Sequence, residues 1–477
     1  MMITRRPLLM GAAAAGLMAT NAHAQSAADF MGEWFGALDL GSQRLRLRLV
    51  VSAGPTSTLY SIDQGNSAIP VATTTITGGQ ISLSIPVIGG SFQGQLNNGR
   101  IEGQFTQRGS LPLVFSREQA AEQAPTREAL TQAGLAALRA GCGAPAFAAA
   151  AANRDGRAVA FVDGVRAIGR PEQATTSDKW HLGSITKSMT ATLVARAVEA
   201  GHVSWNDTVG GVLGAAIPEM RAEYRDANFR HLLSHQSGLP ANIEMGQLLG
   251  FPRESADART DRIAYARLGL QQAPVGAKGA HFEYSNTGYV IAGAMLEAKL
   301  GAPWETLIRD HVFTPLAMSN TGQGAPGTPG LYDQPVGHAL GPTTVTNGQA
   351  TASLVPFPPG GPITDNPAAL GPAGRVHATF EDVFKYLNAH CARTSPFLRR
   401  ESWETLHTAP FGGPYAMGWS EREGMLWHNG SNTLFYAEVM FDRNRGIVAA
   451  AATNDGRVGD VGQPLGAALV GAAQAVA

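Results

Sequence analysis

Ser184-Ile185-Thr186-Lys187 is the first place in this chain where residue types and spacing combine into chemistry. A serine hydroxyl is a poor nucleophile unless an adjacent base takes its proton. A lysine with an ordinary pKa of ~10.4 is no base at neutral pH, but burial and the positive end of a helix both push it toward the neutral amine. Residues three apart share one helix face, and a helix N-terminus also offers backbone N–H groups to a developing oxyanion. The chain holds 25 serines and five lysines, enough for one such pair to occur by chance. Standing alone, the pair also reads as a serine near an N-cap beside a solvated lysine.

Two further motifs give it company. Tyr284-Ser285-Asn286 lies in a turn-rich stretch before an apolar run. A tyrosine close to a lysine can share its proton, and an asparagine amide can orient both the lysine and a substrate carbonyl. A rival copy, Tyr386-Leu387-Asn388, falls inside an amphipathic helix pattern from Glu381 to Cys391, where both residues read as ordinary helix positions. The third motif, His428-Asn429-Gly430 followed by Ser431, ends a β segment. Its imidazole could hydrogen-bond a substrate, and its glycine permits close backbone approach; a turn histidine at the surface is the plainer reading.

The elements that must position these residues follow from periodicity. Ile185, Met189, Leu193 and Ala197 recur every four residues and Gly201 closes the run, so Ser184 opens a helix. Leu130, Leu135 and Leu138 predict an earlier helix ending at Gly141. Phe147–Ala152 and Val159–Phe161 read as adjacent strands. Tyr415–Trp419, Met425–His428, Leu434–Asp442 and Ile447–Thr453 form four β segments, and a closing helix of small residues runs from about Gly462. Strands at both ends with helices between them predict one α+β domain whose sheet joins its two ends.

Ahead of it, residues 25–116 read as a small all-β barrel or sandwich. Arg44-Leu45-Arg46-Leu47-Arg48-Leu49 and Ile81-Ser82-Leu83-Ser84-Ile85 alternate strictly, and Asn98-Gly99 is a hairpin turn. The arginine stripe reads as a solvated strand face, and Trp34, Phe35, Phe92 and Phe105 as core. Residues 117–126 lack periodicity and read as a linker, and residues 127–477 make up the α+β domain.

Bulk properties exclude several functions. Net charge is −1, from 36 basic and 37 acidic residues. That balance supplies no concentrated basic surface for nucleic acid and no cationic cluster for anionic lipid. Beyond residues 1–24, no segment approaches the length of a membrane span. Those 24 residues read as a signal peptide: Arg5 and Arg6, an apolar run from Leu8 to Ala19, and the small-x-small site Ala22-His23-Ala24. Thr4-Arg5-Arg6-Pro7-Leu8-Leu9 resembles a twin-arginine signal, with an ordinary Sec signal as the alternative. The expectation is an exported, periplasmic protein. Cys142 and Cys391 read as free thiols. No Cys/His spacing points to a metal, and no cofactor is called for. No serine sits in Gly-x-Ser-x-Gly, so a nucleophile elbow is absent.

In their order, Ser-x-x-Lys, Tyr-x-Asn and His-x-Gly make residues 127–477 resemble the penicillin-recognising serine hydrolases. The likeness is to the class C β-lactamase-like branch, which includes D-amino-acid peptidases and β-lactamase-fold esterases. Trp180-His181-Leu182-Gly183, the run from His231 to Pro240, and Gly371-Pro372-Ala373-Gly374 with Thr379 support it. The resemblance implies a β-lactamase/transpeptidase-like fold in which Ser184 is acylated while Lys187 and Tyr284 handle its proton. Asn286, His428, Gly430 and Ser431 would bind substrate, with the N–H groups of Ser184 and Ser431 as oxyanion hole; His231 and His235 read as structural. Gly32-x-Trp34-x-Gly36 and Gly103-x-x-x-Gln107-x-Gly109 resemble a small β module carried by various secreted bacterial hydrolases. One departure matters: the Lys-Thr-Gly usual in true β-lactamases of this branch is His428-Asn429-Gly430 here. Without that cation, an esterase or D-amino-acid peptidase acting on a small-molecule or peptide-like substrate is favoured over an efficient β-lactamase. The alternative is a non-hydrolytic penicillin-recognising sensor of the same fold. Oligomeric state stays open.

Overall fold

The computed structural model describes residues 26–39, 44–54, 56–61, 67–107, 109–117, 128–346, 349–422 and 424–477. The expected signal peptide and residues 118–126 of the expected linker lie outside the described residues. The rest forms two compact units, one up to residue 117 and one from residue 128.

The first unit is a curled antiparallel sheet, a half-barrel. Its strands are β1 (Gly32–Asp39), β2 (Arg44–Ser52), β3 (Thr56–Ser61), β4 (Ser67–Pro70), β5 (Thr73–Thr77), β6 (Gln80–Ile85), β7 (Gly90–Asn97), β8 (Arg100–Gln107) and β9 (Gly109–Ser116), in the spatial order β4-β3-β2-β1-β9-β8-β7-β6-β5. Alternation sets its faces: Leu47, Leu49, Ile81, Leu83 and Ile85 point into one core with Trp34, Phe92 and Phe105. Phe35 departs from the core expectation. It pairs with Arg48 across β1 and β2, and one residue beyond Trp34 it must face the other way. On that outer face Arg48 pairs with Glu33 at 2.6 Å and lies over the Tyr60 ring, so this arginine is occupied within the sheet. Arg117, first residue of the expected linker, lies against this unit: its guanidinium covers Trp34 and donates to Asp29 O at 3.0 Å.

The second unit is built on a seven-stranded sheet with helices on both faces. β10 (Ala146–Asn153) pairs antiparallel with β11 (Ala158–Gly164). Between them and the C-terminal strands lie short pairings: β12 (Trp180–His181) and β13 (Gly322–Gln323) flank β18 (Val376–Ala378), β14 (Gly337–Leu340) joins β17 (Leu354–Phe357), and β15 (Thr344–Thr346) joins β16 (Gln349–Thr351). Then come β19 (Tyr415–Ala416), β20 (Trp419–Arg422), β21 (Met425–Ser431), β22 (Tyr436–Asp442) and β23 (Ile447–Thr453). The order β11-β10-β23-β22-β21-β20-β19 confirms a sheet that joins the two ends of the domain.

The interior strands β10 and β23 carry mostly alanine. Ala146, Ala148 and Ala150 join the core shared with the central helices, while Phe147, Ala149 and Ala151 join the core under the helices Gln132–Cys142 and Val458–Ala475. Small side chains let helices approach both faces closely. Several boundaries differ from expectation. The first helix runs to Cys142 because the chain turns left-handed at Gly143 (φ 66°), not at Gly141. The last begins at Val458, since Val461 already packs beneath it. A turn at Met417-Gly418 divides the expected Tyr415–Trp419 segment between β19 and β20. Cys142 and Cys391 are free.

Candidate active site

Ser184 lies in one 3-10 turn, Gly183–Ile185, that runs straight into the helix Thr186–Glu199. That helix is buried on nearly every side, from Thr186 through Ala195 and again at Ala197, so it is the axis of the domain rather than an amphipathic surface helix. Its buried hydroxyls are satisfied: Ser188 donates to Ile185 O at 2.8 Å, Thr190 to Pro372 O at 2.8 Å, and Thr192 to Ser188 O at 2.9 Å. Ser184 is half-buried, while Lys187, one turn on, is fully buried.

Lys187 Nζ stands 2.9 Å from Ser184 Oγ, 2.7 Å from Asn286 Oδ1 and 2.7 Å from Ala373 O. No carboxylate is among these partners, and burial holds the lysine pKa well below its ordinary value. A neutral amine fits this cage. Two N–H groups donate to Asn286 and Ala373, and the remaining lone pair faces the Ser184 hydroxyl. Ala373 O is presented by the Gly371–Gly374 turn.

Tyr284 and Asn286 flank Ser285, the N-cap of the helix Asn286–Leu300, whose Oγ accepts from Gly288 N at 3.1 Å. This cap brings the motif to the lysine. Asn286 Nδ2 donates to Asn242 Oδ1 at 2.8 Å, so the amide is braced on its far side. Tyr284 hydrogen-bonds Ser184, its ring centre lies 4.9 Å from Lys187 Nζ, and burial raises its phenol pKa. It is therefore a protonated phenol at neutral pH. His235 packs 4.3 Å from the Tyr284 ring centre and accepts from Ser285 N at 2.9 Å. It adopts φ 61° to do so, a positioning role for a histidine read as structural. His231 caps its own short helix with Asn228 and stacks on Phe411. The rival Tyr386 points elsewhere, donating to Ser188 Oγ at 3.0 Å within the core.

His428 lies within β21 rather than at its end, and both ring nitrogens are taken: Nε2 lies 2.8 Å from Tyr415 OH and Nδ1 2.5 Å from Asn429 O. Burial lowers its pKa to about 3, so it is neutral across the physiological range. It presents neither a charge nor a free nitrogen; it braces Tyr415 and the strand. Gly430 and Gly183 meet instead. A Cβ on Gly430 would lie 2.4 Å from Ser184 N, and one on Gly183 2.4 Å from Ser431 N. Only two bare backbones approach so closely. The result sets the chain segments of Ser184 and Ser431 in direct contact at the helix end. The arrangement gathers a serine hydroxyl, a buried lysine amine and a phenol at one helix end.

The family described as Beta-lactamase matches residues 134–472, the whole span that carries this site. The chain belongs to the beta-lactamase family. Penicillin-binding protein 4 of Amycolatopsis lactamdurans is 28% identical over 332 residues, 65% of this chain and 81% of its own length. Among solved structures, the D-amino acid amidase of Ochrobactrum anthropi SV3 aligns with a TM-score of 0.56 at 20% identity, over 71% of this chain and 97% of that one. EstCE1, a hydrolase with promiscuous acyltransferase activity, aligns with a TM-score of 0.55 at 19% identity, over 72% and 99%. These likenesses establish the fold.

Sequence reasoning missed several partners. Asn242, Asp365 and Asn432 hold the site by side-chain bonds, but each sits in a Gly/Pro/Asn/Ser-rich loop that reads as an ordinary turn. Among the described residues no group of three or more His, Cys, Asp and Glu is placed to hold a metal ion, and no helix is long and apolar enough to cross a membrane.

Proposed function

We propose that this protein is a serine hydrolase, acting outside the cytoplasm, that cleaves an ester or amide through an acyl-Ser184 intermediate. The observation that carries this is Lys187: a fully buried lysine facing Ser184 Oγ at 2.9 Å, with no acid to keep it charged. Lys187 takes the Ser184 proton as Oγ attacks the substrate carbonyl. The N–H groups of Ser184 and Ser431 receive the oxyanion. The leaving group takes a proton relayed through Tyr284 and departs, leaving the acyl ester. Water then attacks, Lys187 accepts its proton, and the acid leaves as Ser184 is reprotonated.

The third motif narrows the substrate. An uncharged, internally bonded His428 offers no cation for a carboxylate, which favours esters and D-amino-acid amides over β-lactam antibiotics. Wild type should hydrolyse p-nitrophenyl acetate faster than nitrocefin, and Ser184→Ala should abolish both activities. Unchanged turnover in Ser184→Ala overturns the mechanism, and comparable nitrocefin rates overturn the substrate preference. A burst of nitrophenol with no steady state would mark a sensor instead of an enzyme.

A further inference from the structure

The two halves of the oxyanion hole come from segments far apart in sequence, and a single buried carboxylate touches the supports of both. Asp365 is 1% exposed at its side chain. Its Oδ1 accepts from Asn432 Nδ2 at 3.0 Å and from Asn366 N at 2.7 Å, and lies 2.9 Å from His181 Nε2. The histidine contact is a close electrostatic one, not a well-aligned hydrogen bond. His181 Nδ1 in turn accepts from Gly183 N at 3.1 Å, so the ring hydrogen sits on Nε2, toward the carboxylate.

Each support leads to one N–H donor. Gly183 immediately precedes Ser184 and is held at φ 50°. Asn432 immediately follows Ser431, and its Oδ1 accepts from Leu434 N at 3.2 Å and Phe435 N at 2.9 Å. This fixes the turn that carries Ser431, whose own Oγ donates to Phe435 O at 2.7 Å. The His181 ring stacks on Phe435 with centres 5.9 Å apart, which ties the two segments again. Arg375 stands 3.6 Å from Asp365 Oδ2 and is itself held by Asn366 O at 2.8 Å and Glu254 at 3.0 Å. Burial alone would raise the Asp365 pKa, but the donors facing it, with the Arg375 charge, outweigh burial and lower it.

We infer that Asp365 is a positioning residue for catalysis, gripping the supports of Ser184 N and Ser431 N at once and so setting the spacing of the oxyanion hole. The inference rests on the reading of Ser184 as nucleophile. A buried charge with several partners is costly to maintain for stability alone, whereas small errors in donor placement cost large factors in rate.

The test compares wild type, Asp365→Ala, Asp365→Asn and Ser184→Ala in single-turnover acylation by p-nitrophenyl acetate, scaled to titrated active sites. Inhibition by phenylboronic acid, whose tetrahedral serine adduct occupies the oxyanion site, is measured alongside. Asp365→Ala should slow acylation about 10- to 100-fold and weaken boronate inhibition by the same factor, with half-saturating substrate within about twofold of wild type. Asp365→Asn keeps an acceptor for Asn432 and Asn366 but loses the charge, so it should show the same signature at about three- to tenfold. It carries the test if the alanine variant does not fold. Wild-type acylation and boronate inhibition per titrated site in the folded variants, even with a lowered melting temperature, overturn the inference. A Ser184→Ala protein that still turns over overturns the underlying reading instead, so the two failures are distinct.

Discussion

In the proposed mechanism Lys187 and Tyr284 divide the proton work because burial moves their pKa values in opposite chemical senses. The lysine pKa is lowered, favouring the neutral amine; the phenol pKa is raised, favouring the protonated form. The sign of the pH dependence follows. Activity should be lost as pH falls through the depressed lysine value, when the base becomes an ammonium. No alkaline loss is expected near pH ~10, because Tyr284 keeps its proton beyond the ordinary tyrosine range. A pH–rate profile of acetate ester hydrolysis checks both limbs. Lys187→Arg should leave no measurable turnover, since guanidinium cannot accept the proton. Tyr284→Phe should lower the rate about 10²- to 10⁴-fold with the protein still folded by circular dichroism. At this scale the sequence was most informative. Ser184, Lys187, Tyr284 and Asn286 are of types whose chemistry can be stated before any fold is known, and their order in the chain was enough to bring them together. His428 was less legible, because a ring nitrogen's availability depends on neighbours such as Tyr415 that no local spacing reveals.

At the scale of elements, strands with period-two alternation were readable, while boundaries were set by contacts from elsewhere. Phe35 and the start of the last helix show this: each is decided by which face meets a distant partner. Asp365 was illegible for the same reason, since its partners come from three separate segments. Two predictions belong here. Gly430→Ala would drive a methyl to within 2.4 Å of Ser184 N. Acylation should therefore fall by at least about 10²-fold, with far smaller loss for a glycine substitution at a turn facing open space such as Gly412. Under the last helix, Tyr436 donates to Glu438 at 2.7 Å, and burial raises the Glu438 pKa to about 7. A carboxyl with a raised folded-state pKa contributes stability that is complete below its unfolded value of ~4.5 and is lost as pH rises through 7. Glu438→Gln should therefore raise stability at pH 8 by about 1–3 kcal/mol and change it little at pH 4.5; denaturant midpoints at both values read this out.

At the scale of the whole molecule, each unit holds its own core: Trp34, Phe92 and Phe115 in the first, and the central helices against the sheet in the second. Calorimetry should resolve two transitions. Trp34→Ala, which empties a buried site costing about 3–5 kcal/mol, should move only one of them. The sheet order has a further consequence, one of timing. Ser184 leaves the ribosome early, but the strand carrying Ser431 and the middle strand β22 are made roughly 250 residues later, at ~5–20 residues per second. For some ten seconds or more the helix after Ser184 exists without Ser431 and without the middle of its own sheet. The proposed nucleophile thus stays unarmed until β21 delivers Ser431, late in synthesis.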